Sequence, residues 1–248
     1  MSAVQRGTVS AMGGALALLA VLAVTDGLGA AGWLAGAAAA GATIALLAAA
    51  LRRSGADGLH LPNRITLTRA MLVTGVAALV ADRLVTAAPH TTSVVAIATV
   101  ALVLDAVDGF VARRTASVTA VGARFDMEVD AFLIFVLSGY AATLLGPWVL
   151  AIGAARYAYV AFGWTLPELR SAVPPRYWRK VVAAIQGIVL TVVAAQLLPP
   201  VAGAAATAVA LALLAESFGR DVWWQCRAGR VRMATRSKRT RPMLAGSR

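Results

Sequence analysis

Residues 91–145 read TTSVVAIATVALVLDAVDGFVARRTASVTAVGARFDMEVDAFLIFVLSGYAATLL, and this stretch decides the fold. Two apolar runs, 91–113 and 121–145, flank a short polar turn near Thr115–Thr119. Each is close to the roughly 20 residues a helix needs to cross a bilayer. A turn that short makes them antiparallel neighbours. Outward from this hairpin the same pattern repeats, with further runs at 9–26, 29–51, 63–86, 147–167, 179–198 and 200–222. The first of these, MSAVQRG followed by AMGGALALLAVLAV, has the look of a secretory leader. A second long apolar run follows at once, so it reads as a retained helix. The fold class expected is all-α, a polytopic membrane helical bundle.

Composition agrees. The 248 residues are 60% hydrophobic and only 14% charged, and the mean hydropathy is +0.76. Charges gather at the ends of apolar runs, as membrane helices require. The net charge of +12 carries no zinc-finger or RNA-binding pattern with it, so nucleic acid is excluded as a partner. With an N-terminus in the cytoplasm, nearly every basic residue from Arg6 to Arg220 falls on the cytoplasmic side and Arg83 outside. That asymmetry obeys the positive-inside rule and fixes the orientation; the location expected is the cell (inner) membrane. The tail from Arg227 to Arg248 has eight basic residues and no acidic one. It reads as a disordered topology signal, or as a segment drawn to anionic headgroups at about 1 kcal/mol per basic residue. Cys226 stands alone, which rules out an intrachain disulfide. Trp33, Trp148, Trp164, Trp178, Trp223 and Trp224 sit near expected helix ends as interfacial anchors.

The segment 51–62, LRRSGADGLHLP, reads as a linker. It divides the chain into a two-helix N-terminal extension (1–58), a six-helix core (59–225) and the basic tail (226–248). Pro62 and Asn63 mark the start of the core's first helix.

Five of the eleven acidic residues lie between Asp105 and Asp130. A carboxylate at the bilayer centre costs about 2.5–3.5 kcal/mol even on the lenient insertion scale, so a cluster calls for a compensating cation or a wet cavity. Asp105 and Asp108 are three apart on one helix, Asp126 and Asp130 four apart on the next. Both spacings bring side chains to one face. Four oxygen donors in one place suit Mg2+ or Mn2+. Gly109 and Gly122 open room beside them, and Arg113 has the forked donors to clamp a diphosphate. Against this stands an ion-pair network of the aspartates with Arg113, Arg114 and Arg124 that only closes helix ends. Glu128 points to the far side of its helix, where pairing with Arg124 one turn earlier is expected.

The run from Asp105-Ala-Val-Asp108-Gly109 through Ala112-Arg113, then eight residues, then Gly122-Ala-Arg-Phe-Asp126-Met-Glu-Val-Asp130, resembles without a gap the signature of the CDP-alcohol phosphotransferases. The resemblance implies a six-helix core over roughly 60–225, a two-metal site and a homodimer. It implies that Asp105, Asp108, Asp126 and Asp130 hold metal ions and that Asp130 also serves as general base. Gly109, Ala112, Arg113 and Gly122 match positions that, with Asp105 and Asp108, shape the CDP and diphosphate pocket. The implied reaction moves a phosphatidyl-type group from a CDP-linked donor such as CDP-diacylglycerol to an alcohol, with CMP released, in phospholipid biosynthesis.

For the acceptor, the segment Val173-Pro-Pro-Arg176-Tyr-Trp-Arg179-Lys180, with Gln186 beyond it, resembles the basic loop of members that use phosphorylated acceptors. Arg176, Arg179 and Lys180 are acceptor-binding candidates on that basis, and topology charges otherwise. Trp178 and Val182 depart from the pattern of glycerol-phosphate users. Arg156, alone in an apolar helix, either pairs with an aspartate or binds an anion. Glycerol 3-phosphate leads as acceptor, with inositol phosphate, serine or phosphatidylglycerol behind it. The segment Pro62-Asn63-Arg64-Ile65-Thr66-Leu67-Thr68-Arg69 resembles the family's entry into its first core helix, and Arg69 either reaches the donor or anchors at the interface. A membrane cation transporter lined by carboxylates is the reading from another class.

Overall fold

A computed structural model of the chain describes residues 3–54, 64–115, 120–165 and 177–240, apart from side chains near several helix ends, those of Ala112 and Arg113 among them. The linker's residues 55–62 and the 116–119 turn lie outside the described residues. Within them the chain forms α1 (Ala3–Asp26), α2 (Ala30–Ser54), α3 (Arg64–Thr86), α4 (Thr91–Thr115) and α5 (Ala120–Leu145). A 3-10 turn over Pro147–Val149 leads into α6 (Leu150–Thr165), and α7 (Tyr177–Ala194) and α8 (Pro200–Thr240) complete the order. No strand occurs among the described residues. The fold is the expected all-α polytopic membrane bundle.

Among the described residues five helices are long and apolar enough to cross a bilayer, over Ala30–Ala49, Ile65–Thr86, Thr91–Phe110, Gly122–Leu145 and Pro200–Gln225. They make the chain a multi-pass membrane protein. The other three expected runs are helical too, and their described parts are shorter. Among the described residues the apolar part of α1 is Met12–Asp26, α6 has 16 residues and α7 has 18, with Arg179 and Lys180 in its first turn.

Helix α3 is the axis of the bundle, packed against α1, α2, α4 and α5. Its Val73, Val76, Ala78 and Leu79 are almost wholly buried, as are Leu133, Leu137 and Tyr140 of α5. Small residues let the N-terminal helices approach it: a Cβ at Gly32 of α2 would stand 3.0 Å from the Ala78 carbonyl oxygen. At the tip of the α1–α2 hairpin Gly27 adopts a φ of 69°, a left-handed turn that suits glycine. The hairpin is tied down by polar bonds as well. Gly29 donates its backbone N–H to Asp82 Oδ1 at 3.0 Å, and Ser93 Oγ donates to Asp26 Oδ1 at 2.6 Å. His90 Nε2 lies 2.9 Å from Asp82 Oδ2.

The tail differs from its sequence reading. Helix α8 continues through the apolar window to Thr240, because Arg, Ala, Met and Lys beyond Gln225 favour helix and no proline intervenes before Pro242.

Candidate active site

Three helices build the site, all near the end of the bundle where α3 and α5 begin and α4 finishes. Helix α4 brings Asp105 and Asp108, α5 brings Asp126 and Asp130, and α3 contributes Thr66 and Arg69. Arg69 lies six residues into α3, about 8–9 Å along its axis.

Asp105, Asp126 and Asp130 converge so that one carboxylate oxygen from each lies within 4.8 Å of the others. Arg69 sits among them. Its Nη1 lies 2.9 Å from Asp105 Oδ1 and donates to Asp126 Oδ1, and its Nη2 donates to Asp130 Oδ1. The arginine is fully buried. The carboxylates retain 41%, 35% and 35% of their side-chain exposure, so the open face of the cluster is acidic and its floor is the guanidinium. Charge explains the arrangement: a buried arginine in an apolar helix must be paired, and three neighbouring carboxylates need a cation between them. Arg69 Nε is buried without a hydrogen-bond partner, so the network runs entirely through the two terminal nitrogens.

Asp108 stands apart from the group of three. Its Oδ2 accepts a hydrogen bond from Thr66 Oγ1 at 2.8 Å, which joins the first turn of α3 to the acidic face of α4. Gly109 and Gly122 are half-buried beside the aspartates. Ala112 and Arg113 belong to the last turns of α4, and their side chains lie outside the described residues.

The remaining candidates are placed elsewhere. Arg156 on α6 pairs with Glu128, so its partner is a glutamate and not an aspartate. Glu128 in turn reaches across to α6 in place of the expected bond to Arg124. Two residues from Asp126 it points away from the acidic cluster, toward the side where α6 packs. Arg179 lies 2.9 Å from the buried Asp221 of α8, an inter-helix pair. Lys180 is exposed, and Arg176 lies outside the described residues. Gln186 is buried and donates through Nε2 to the Ala210 carbonyl at 2.8 Å, which pins α7 to α8. Of the expected basic partners at the helix ends, Arg114 stacks over the Phe110 ring at 4.3 Å, and the Arg113 side chain lies outside the described residues.

Arg69 is the residue that sequence reasoning left between donor contact and interfacial anchoring; its side chain serves the carboxylates instead. The available signal was its charge inside an apolar run at the same end as four aspartates. Its partners on α5 lie 57 and 61 residues away, a distance no local pattern reports.

The donors fit a divalent metal: the three closest groups are all hard carboxylate oxygens, they outnumber the single buried guanidinium, and they keep an open face. An acidic cluster whose oxygens could hold a metal ion, at one end of an all-α polytopic bundle, sets the class: a membrane-embedded protein with a candidate metal site. The chain belongs to the CDP-alcohol phosphatidyltransferase family, whose model matches residues 59–215. No curated protein gives a significant match, and no solved structure does. Membership makes the chain a transferase that moves a phosphatidyl group from a CDP-alcohol to an acceptor, in a family that generally uses a divalent metal.

Proposed function

We propose that this protein takes the phosphatidyl group of CDP-diacylglycerol, or a similar CDP-linked lipid, to an alcohol whose leading candidate is glycerol 3-phosphate, with release of CMP. The observation that carries the reading is the convergence of Asp105, Asp126 and Asp130 at the helix ends, within the stretch that the family model matches. Inositol phosphate, serine and phosphatidylglycerol follow as acceptors.

Asp105, Asp108, Asp126 and Asp130 would hold Mg2+ or Mn2+, and Gly109, Ala112, Arg113 and Gly122 would line the CDP and diphosphate pocket. When bound, divalent ions supply positive charge that neutralises a diphosphate and stabilises attacking and leaving oxygens. The chain's own part is positioning and proton transfer. Asp130 takes the proton of the acceptor hydroxyl, the freed oxygen forms a bond to the donor phosphorus, and the bond to the CMP oxygen breaks with its electron pair leaving on CMP. The Arg69 contact occupies Asp130 Oδ1, and the second carboxylate oxygen is the one assigned to the hydroxyl. A base must lie within hydrogen-bond reach of the proton it removes, and the partial exposure of Asp130 allows that approach.

The site faces the cytoplasm in this reading, since the acidic end of the bundle is also the end where the basic residues gather. A homodimer in the inner membrane, with residues 1–58 as an appended hairpin and linker, completes the proposal. Lys180 and Arg176 remain acceptor-phosphate candidates, while Arg179 and Arg156 are engaged by Asp221 and Glu128.

The test is purified protein with CDP-diacylglycerol, Mg2+ or Mn2+, and a panel of alcohols, with CMP and lipid product measured. Metal-dependent CMP release with one acceptor is expected. Cation flux into vesicles without any CMP release would replace the transferase with the transporter reading.

A further inference from the structure

Three carboxylates with oxygens inside 4.8 Å of one another repel, and in a partly apolar setting that repulsion is poorly screened. Left alone they would turn apart. In this fold a single buried side chain from a third helix opposes that tendency: Arg69 touches Asp105, Asp126 and Asp130 at once. The oxygens it holds, Oδ1 of each, belong to the same groups a divalent ion would use. We infer that Arg69 is a positioning residue, an internal counter-cation that keeps the three carboxylates assembled before any ion arrives and weakens the ions' hold once they do. This rests on the reading of the cluster as the transferase's metal site.

The physical consequence is a site already shaped but only loosely charged toward metal. A guanidinium fixed against the same carboxylates repels an incoming divalent cation, so bare ions bind weakly. A diphosphate adds negative charge on the open face and restores the balance. Donor and metal therefore bind each other's complex better than either binds the bare protein, which couples ion loading to the arrival of the CDP-linked substrate. An arginine serves better than a lysine, because its planar fork reaches three carboxylates on two helices through two nitrogens.

The measurement is Mn2+ binding to the full chain in detergent, followed by the electron paramagnetic resonance signal of free Mn2+, for the native protein, Arg69→Gln and Arg69→Lys. Removing the charge while keeping a hydrogen-bonding side chain should tighten Mn2+ binding at least about tenfold without nucleotide, by the loss of a unit charge at contact distance. The unfolding temperature of Arg69→Gln should fall in chelator and recover with Mn2+. Arg69→Lys keeps the charge and should still bind Mn2+, less tightly than Arg69→Gln. A merely structural arginine would behave oppositely, since disordered carboxylates bind Mn2+ more weakly. Affinity in Arg69→Gln that is unchanged or weaker overturns the inference. Should that variant not be recovered folded, loss of Mn2+ binding in Arg69→Lys overturns it and retention supports it. Tighter Mn2+ binding in Arg69→Gln, alongside native protein that releases no CMP, removes the transferase reading and leaves the counter-cation standing. CMP release by native protein with Mn2+ affinity unchanged in Arg69→Gln does the reverse.

Discussion

Thr66 Oγ1 donates to Asp108 Oδ2 across 2.8 Å, and the bond ties the start of α3 to the one signature aspartate that Arg69 does not hold. The acidic face of α4 is thus fixed from two points on a single neighbouring helix. Asp105 is held by a charge and Asp108 by a neutral hydroxyl.

Replacing Thr66 with valine keeps the shape and removes the donor. A hydrogen bond to a charged group contributes about 1.5–3 kcal/mol, so transferase turnover should drop roughly tenfold or more. Thr66→Ser should recover most of it. CMP release measured in the three proteins decides the matter, and full activity in Thr66→Val would show that Asp108 is oriented by other contacts.

Asp130→Asn keeps the volume and removes the basic oxygen. Loss of a general base lowers rates by about 10²–10⁴-fold. Arg69 still meets Asp105 and Asp126 in that variant, so helical content and detergent elution position should be unchanged. Near-native turnover would take the base assignment away from Asp130.

The Glu128–Arg156 bond joins α5 to α6 on the side of α5 away from the acidic cluster. Both partners are partly exposed, at 42% and 24% of their side chains, which limits the pair to at most about 1 kcal/mol of coupling. Thermal unfolding of Glu128→Gln, Arg156→Met and the double variant should give losses that fail to add by about that amount. Strict additivity would mean that the two side chains do not interact.

At the opposite end of the bundle, Asp82 is buried and accepts from Gly29 N–H at 3.0 Å and His90 Nε2 at 2.9 Å. Its removal leaves the buried His90 and the part-buried Gly29 N–H without this acceptor and loosens the α1–α2 hairpin against α3. Breaking a buried pair by deleting one member costs about 3–5 kcal/mol, so Asp82→Ala should lower the unfolding temperature by several degrees. An unchanged midpoint would show the hairpin to be held by apolar packing alone.

Much of this was visible in the residues. Apolar runs separated by charges and glycines marked the helices, since a bilayer leaves a chain few alternatives to hydrogen-bonding its own backbone. The spacing of Asp105, Asp108, Asp126 and Asp130 marked two helical faces, because a helical period is a local property. Errors came where a partner had to be chosen across space. Glu128 had a basic residue one turn away in Arg124, yet its side chain meets Arg156, 28 residues later, because α6 packs on that side of α5. Nor does the spacing around Arg179, an acceptor-binding candidate or a topology charge by sequence, report the Asp221 of α8 that lies beside it.

The sequence by itself determined that this is a bundle of membrane helices with an acidic signature at one end, because hydrophobic length and helical period are written along the chain. Only the tertiary structure decided that Arg69 lies beneath three of the aspartates and that Thr66 holds the fourth. Those pairings depend on how α3 sits against α4 and α5, and the energy of a charge contact depends on separation in space, which the order of residues does not record.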